Sequence, residues 1–294
     1  MPLLNVSMTA LAITIKREKF LWRCSAVYLC DQTLNPMLDI TAQLWEFNQR
    51  SPWLIALILN TFLLAIAGIL PKKLLTFWGY LHAWVLGVIV WSGFGWQGYL
   101  VVLAYFFVGS AVTKIGQTEK EAAGIAEGRS GRRGPENVWG SALTAAVCAL
   151  LTWVVPESLI PWLALGYVAS FSTKLSDTTA SEMGKAYGKR TFLITTLQPV
   201  PRGTEGAVSL EGTLAGFLAG FALALFGWSV GMISVWGIGF CTIAAFVATN
   251  LESLIGATLQ TQWAWLTNEV VNGINTLLGA AIAVGLAWGL QRLL

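Results

Sequence analysis

Charge is scarce in this chain. Of its 294 residues only 11% are Asp, Glu, Lys or Arg, against about 25% in ordinary soluble domains. That shortage excludes a single soluble globular domain. Cysteine is almost as sparse. Cys24 and Cys30 lie near the N-terminus, Cys148 and Cys241 lie in apolar runs, and no two form a C-x-x-C pair. Neither a zinc site nor a disulfide framework is indicated. The one histidine, His82, sits in an apolar run and reads as a satisfied buried side chain. There is no G-x-x-x-x-G-K-[ST] phosphate loop and no G-x-G-x-x-G after a strand, which excludes the common nucleotide-binding loops. The centres of the apolar runs hold almost no ionisable groups, whereas transporters and proton relays place such groups near mid-membrane. No repeat of fixed period, low-complexity linker or second soluble domain is present.

What fills the chain instead is apolar. Hydrophobic residues make up 55% of it, with 15 tryptophans and a mean hydropathy of +0.65. This is the composition of an all-α, polytopic helical membrane protein with much interfacial aromatic surface. A span needs about 20 apolar residues. Eight candidate spans satisfy that need, near 51–70, 74–95, 97–113, 136–155, 160–176, 211–228, 230–249 and 270–290. They make residues 51–294 a single transmembrane catalytic domain. Residues 1–50 read as an N-terminal extension, either flexible or the product of a mis-assigned start with Met37 as initiator. Leu3 to Ile15 is too short to span and lacks a basic region before it, so a signal peptide is not expected.

Threading eight spans back and forth puts the linkers at 72–73, 114–135, 177–210 and 250–269 on one side. With Lys174, that side collects 12 of the 18 lysines and arginines, and 10 of the 15 acids lie on or beside it. The basic excess makes it the cytoplasmic or stromal-equivalent side, with the plasma and thylakoid membranes both open. Bases alone would be a topology signal. Acids, bases, glycines and amides together suggest a site at that interface. A net charge of +3 gives no reason to expect a nucleic-acid partner.

The chain is organised around Ser170 to Lys189. Read as a helix, Ser170, Lys174, Asp177, Ser181, Gly184 and Gly188 recur at steps of four and three, which puts all six on one face. A cation, a carboxylate and a hydroxyl there could hold a metal or a phosphate. The two glycines would admit a ligand or another backbone. The alternative for the same residues is a polar helix end beside a small-residue packing face.

Three further groups surround this helix. Lys114 to Asn137 includes Arg129, Arg132 and Arg133 among glycines, which suits phosphate binding and equally a plain cationic loop. Arg202, Glu205, Ser209, Glu211, Gly212 and Thr213 form the second group. There Ser209 could cap the sixth span with Glu211 in its first turn, and Gly212, Gly216 and Gly220 repeat as a packing face. The third is Asn250-Leu-Glu252-Ser253 followed by Asn268, Asn272 and Asn275 on one helical face. Those amides serve interhelical hydrogen bonds or a ligand.

Asp177-Thr-Thr-Ala180-Ser-Glu-Met-Gly184-Lys-Ala-Tyr-Gly188 resembles the D-x-x-A-x-x-x-G-x-x-x-G signature of CTP-using lipid kinases and cytidylyltransferases. Ser176 stands where a glycine commonly precedes the aspartate. The chain more closely resembles the phytyl-phosphate kinase family of the vitamin E pathway. The matching elements are Ser176 to Gly184, Gly203 to Thr213 and Ser253-Leu-Ile-Gly256-Ala-Thr258, and the resemblance covers about 70–294. It implies transfer of a phosphoryl group from CTP or another nucleoside triphosphate to phytyl phosphate. Mg²⁺ or another divalent cation would assist, and the phytyl diphosphate would feed tocopherol and phylloquinone synthesis.

On that reading Asp177 binds the metal with Glu182 or Glu211, and Asp177, Lys174 and Glu211 form the catalytic group. Lys174, Lys185 and Lys189 hold nucleotide phosphates, while Arg129, Arg132, Arg133 and Arg202 neutralise donor and acceptor. Lys114, Asn137, Ser181, Gly184, Gly188, Glu205, Thr213, Asn268 and Asn272 complete the binding surface. The isoprenyl tail and membrane lipid are the apolar partners, and the oligomeric state stays open. Two alternatives carry over: a phytol or polyprenol kinase acting on the free alcohol, and an isoprenoid-phosphate transporter without catalysis.

Overall fold

The computed structural model describes residue 48 and residues 51–69, 74–128, 132–260 and 262–293. Nearly all of the extension read at 1–50 lies outside the described residues, as does Arg129.

The apolar runs form helices, and glycine decides where they bend. The first helix, α1, is Pro52–Ile69, with proline at its first position, where a missing N–H costs nothing. The second, α2, is Phe77–Thr113, opened by Thr76, whose side chain accepts from the Gly79 N–H. At Gly95 the backbone leaves helical geometry with φ 61° and ψ −153°, a conformation that favours glycine. The chain folds back there. The Arg133 carbonyl lies against Gly79 and the Arg133 guanidinium against Gly109. In a straight helix those glycines would be about 45 Å apart. The two legs match the separate spans expected at 74–95 and 97–113.

Next come a short helix, α3 (Gln117–Ala122), and α4 (Pro135–Leu151). Then α5 runs Ile160–Tyr187. Its 28 residues extend about 42 Å, longer than the ~30 Å hydrocarbon core. The fifth span therefore continues as the polar helix read from the sequence. Two three-residue strands, β1 (Thr191–Leu193) and β2 (Ala207–Ser209), pair antiparallel with Thr191 opposite Ser209. This hairpin is the one departure from an all-helical chain among the described residues. Gly203 and Gly206, with φ of 84° and 74°, let the intervening loop turn back. Three helices finish the chain: α6 (Leu210–Ser229), α7 (Val235–Thr258) and α8 (Asn268–Leu293).

Among the described residues five helices are long and apolar enough to cross a membrane: α1, α2, α6, α7 and α8. Each of the eight expected spans falls on one of the eight long rods once α2 is counted as two legs. Short α4 and half-polar α5 do not meet the same length and composition test.

Helix α5 is the spine. Residues 164–177 are buried without a break. Helix α6 runs antiparallel along it in register. A Cβ on Gly212 would sit 2.5 Å from the Ala180 carbonyl oxygen, on Gly216 2.7 Å from that of Ser176, and on Gly220 3.3 Å from that of Ser172. The glycine repeat is thus a close-packing face, and Ser209 caps α6 by accepting from the Gly212 N–H at 3.1 Å. On the other side, Phe94, Tyr167, Phe171 and Tyr105 stack in series at centroid distances of 4.8, 5.1 and 5.1 Å. His82 is satisfied, its Nδ1 accepting from Trp139 Nε1 at 2.7 Å.

Candidate active site

The packing brings the start of α2, its end, and the starts of α4, α6 and α8 to one end of the bundle. The polar end of α5 and the last turns of α7 lie there too. Spacings of three and four on α5 set Lys174 and Asp177 side by side. Lys174 is 7% exposed. Its Nζ donates to Asp177 Oδ2 at 2.6 Å and to Asn272 Oδ1, on α8, at 2.7 Å. Glu252 comes in from α7. Its carboxyl lies in the electrostatic neighbourhood of Asp177, Lys174 and Glu205. Two carboxylates brought together repel one another, and a cation between them would relieve that repulsion. Glu205 is exposed on the β1–β2 loop, so acidic groups lead from solvent to the buried Asp177.

Five residues further along α5, Glu182 meets a different fate. Lys120 of α3, only 1% exposed, donates to Glu182 Oε2. The same Nζ donates to the Thr113 carbonyl at 2.7 Å. Lys185 holds the other oxygen, Oε1, at 3.3 Å. Both oxygens are therefore engaged by lysines, and the Lys120 contact fixes α3 against α5. Among the described residues no three His, Cys, Asp or Glu side chains converge as metal ligands. The expected metal set is Asp177 with Glu182 or Glu211. Glu182 is held by two lysines, Glu211 lies half-buried in the first turn of α6, and the acid that meets Asp177 is Glu252.

A third polar group lies on the α2 side of α5. Arg133 is buried, its Nη1 donating to the Tyr105 hydroxyl at 2.9 Å. The guanidinium also stands 5.4 Å from the Tyr105 ring centre. Tyr105 stacks on Phe171, one turn before Lys174.

The remaining expected residues divide by what they touch. Gly184 and Gly188 face the Ser209 hydroxyl, where a Cβ would lie 3.3 and 3.1 Å away; they admit the N-terminus of α6. Asn137 Oδ1 accepts from the Gly134 N–H at 2.9 Å, capping α4. Arg202 donates to the Ala186 carbonyl at 3.1 Å and so caps the C-terminus of α5. Asn268 accepts from Gln260, while Ser181 bonds back to the Thr178 carbonyl at 3.1 Å. Lys114, Arg132 and Lys189 are exposed on the same end, and Thr213 is half-buried. Gly203 lies against Ile125, which brings the α3–α4 connection onto the β1–β2 loop at the mouth.

The sequence reading places Glu252 in the third polar group without a site role of its own and gives no role to Tyr105. The span expected at 230–249 left Glu252 in a linker, but α7 continues to Thr258. An acid inside an apolar helix is itself a functional signal, and it was available. For Tyr105 the sequence carries no comparable signal.

Residues 60–280 match the family described as integral membrane protein DUF92. The chain is 75% identical to an uncharacterized membrane protein of Synechocystis over 84% of its length and 96% of that protein's. It is 49% identical to protein VTE6 of the Arabidopsis thaliana chloroplast over 70% of its length, spanning 63% of the plant protein. An uncharacterized membrane protein of Methanocaldococcus jannaschii is 32% identical over 79% of this chain and 94% of its own. No solved structure matches the chain. The plant match bears out the family resemblance read from the three motifs.

Proposed function

We propose that this chain, which belongs to the integral membrane protein DUF92 family, is a phosphotransferase of the vitamin E pathway. It moves the γ-phosphoryl group of CTP, or of another nucleoside triphosphate, to phytyl phosphate or a related isoprenyl monophosphate. An acceptor phosphate oxygen forms the new bond to Pγ, the bond from Pγ to the bridging oxygen breaks, and the nucleoside diphosphate leaves with that oxygen. The products are phytyl diphosphate and, from CTP, CDP.

One observation carries the reading: Lys174, Asp177, Glu252 and Asn272 converge from three helices at the charged end of an apolar bundle. Phosphoryl transfer needs positioning and charge neutralisation more than covalent help. A phosphate monoester with its second pKa near 6 is already largely dianionic at pH 7, so the acceptor needs little general base. The difficulty is bringing two anions together. Mg²⁺ typically takes one or two carboxylates together with substrate phosphates, and the Asp177–Glu252 pair fits that demand. A divalent cation held there would neutralise donor phosphate charge. Lys174 stands beside the pair as a cation already fixed in place, and Asn272 holds it on the far side. Exposed Lys189, Lys114 and Arg132 on the same end attract the nucleotide.

The test is a transfer assay on purified protein with γ-labelled CTP, Mg²⁺ and either phytyl phosphate or phytol. Label in phytyl diphosphate, only with the monophosphate, is the expected result. Label in phytyl monophosphate from phytol would make the chain an alcohol kinase. No label with either acceptor across ATP, GTP, UTP and CTP would leave transport without catalysis.

A further inference from the structure

Arg133 presents a charge that its structural role does not need. Its backbone joins α2 to the start of α4: the Arg133 N–H donates to the Leu74 carbonyl at 3.1 Å and its carbonyl accepts from the Thr76 N–H at 3.0 Å. Any residue could make those two bonds. Yet the side chain is a guanidinium only 8% exposed. Among the described residues no carboxylate pairs with it, and one hydroxyl, that of Tyr105, accepts from it. A buried cation without a counter-charge is costly. Space has been left for it as well: a Cβ on Gly109 would sit 3.0 Å from Nη2.

The surroundings say what kind of anion belongs there. Arg133 and Tyr105 lie on the face of α5 that carries Phe171 and Leu175, next to the face that carries Lys174 and Asp177. Among the described residues no carboxylate joins them, so the group offers an anion a cation and offers a metal no acidic ligand. Phe107 and Val108 of the second α2 leg are exposed apolar residues, part of a surface on which a hydrocarbon chain can lie in the bilayer. Arginine's planar fork fits a phosphate with two parallel hydrogen bonds.

We infer that Arg133, oriented by Tyr105, forms the subsite for the phosphate of the lipid-borne acceptor, separate from the donor site at Asp177 and Glu252. This rests on the phosphotransferase reading for the identity of the acceptor. It puts the acceptor's phosphate on the face of α5 adjoining Asp177, with its tail towards α2 and the lipid. Tyr105 is a positioning residue. Its hydroxyl fixes one arm of the guanidinium fork, and the phosphate takes the other.

The experiment measures equilibrium binding to the purified full chain in detergent, without turnover. The probes are phytyl monophosphate, phytol, CTP and dioleoyl phosphatidic acid. Tyr105→Phe removes one oxygen, and Arg133→Lys keeps the charge but removes the fork. Both should weaken phytyl monophosphate about tenfold or more, the loss expected for a charge-assisted hydrogen bond. Phytol and CTP affinities should stay within about twofold, as should the unfolding temperature of Tyr105→Phe. Equal weakening of CTP, or unchanged phytyl monophosphate binding in both variants, overturns the assignment. So does phosphatidic acid competing as well as phytyl monophosphate, which would make the site a general lipid-phosphate contact. Because binding is read without turnover, a chain that transfers no phosphoryl group but binds phytyl monophosphate through Arg133 would keep this subsite and lose the kinase reading.

Discussion

Helix α5 carries two lysine–carboxylate groups five residues apart, and they are built differently. At Glu182 two lysines, Lys120 and Lys185, close on one carboxylate, and both oxygens are engaged. At Asp177 the proportions reverse: one lysine faces two carboxyls. The first group is complete within the protein and ties α3 to α5. The second has more acid than base. Residue type does not separate them. The balance of charge within each group does, and an acid-rich group beside a solvent mouth is where metal chemistry can occur.

The largest effect should come from the acid-rich group. Asp177→Ala should lower phosphoryl transfer on the order of 10³-fold, in line with removing a group that neutralises transition-state charge. The protein should still elute as a folded species on size exclusion; near-normal turnover would sink the assignment. Next, Glu252→Gln should reduce transfer about 10²-fold and raise the Mg²⁺ concentration needed for half-maximal rate. A normal Mg²⁺ titration in that variant would return Glu252 to a purely structural place. The other group should respond in stability rather than chemistry. Lys120→Ala leaves a buried carboxylate short of a partner and should cost about 3 kcal/mol, read as a lower unfolding temperature in detergent. Lys120→Met combined with Glu182→Leu removes both charges and should recover most of that loss while keeping transfer activity. A double variant that unfolds normally but transfers nothing would erase the distinction between the two groups.

Much of the fold was legible because membrane helices announce themselves by length and hydropathy. The spans at 74–95 and 97–113, the polar continuation of α5, the Ser209 cap and the Gly212, Gly216, Gly220 face all depend on residues within a few turns of one another. The site was legible in part for the same reason: Lys174 and Asp177 are neighbours on one helix. That Asn272 and Glu252 meet them was not. Asn272 lies 98 residues from Lys174, and Glu252 lies 75 residues beyond Asp177. The neighbours of Glu182 in sequence suit a metal ligand, and its capture by Lys120, 62 residues away, is a matter of packing.

By itself, then, the sequence determined that this is an integral membrane bundle with its polar chemistry gathered at one end. Apolar periodicity and the distribution of charge along a chain that must cross a bilayer leave little other choice. It also determined which helix carries the site, since a polar face with Lys174 and Asp177 cannot be hidden in lipid. Only the tertiary structure decided which charges neutralise one another. Electrostatic pairing depends on distances between side chains from different helices, and those distances are set by the close approach of α5, α7 and α8 rather than by any local pattern. That is why Glu182 is closed off by two lysines while Asp177 and Glu252 remain short of positive charge.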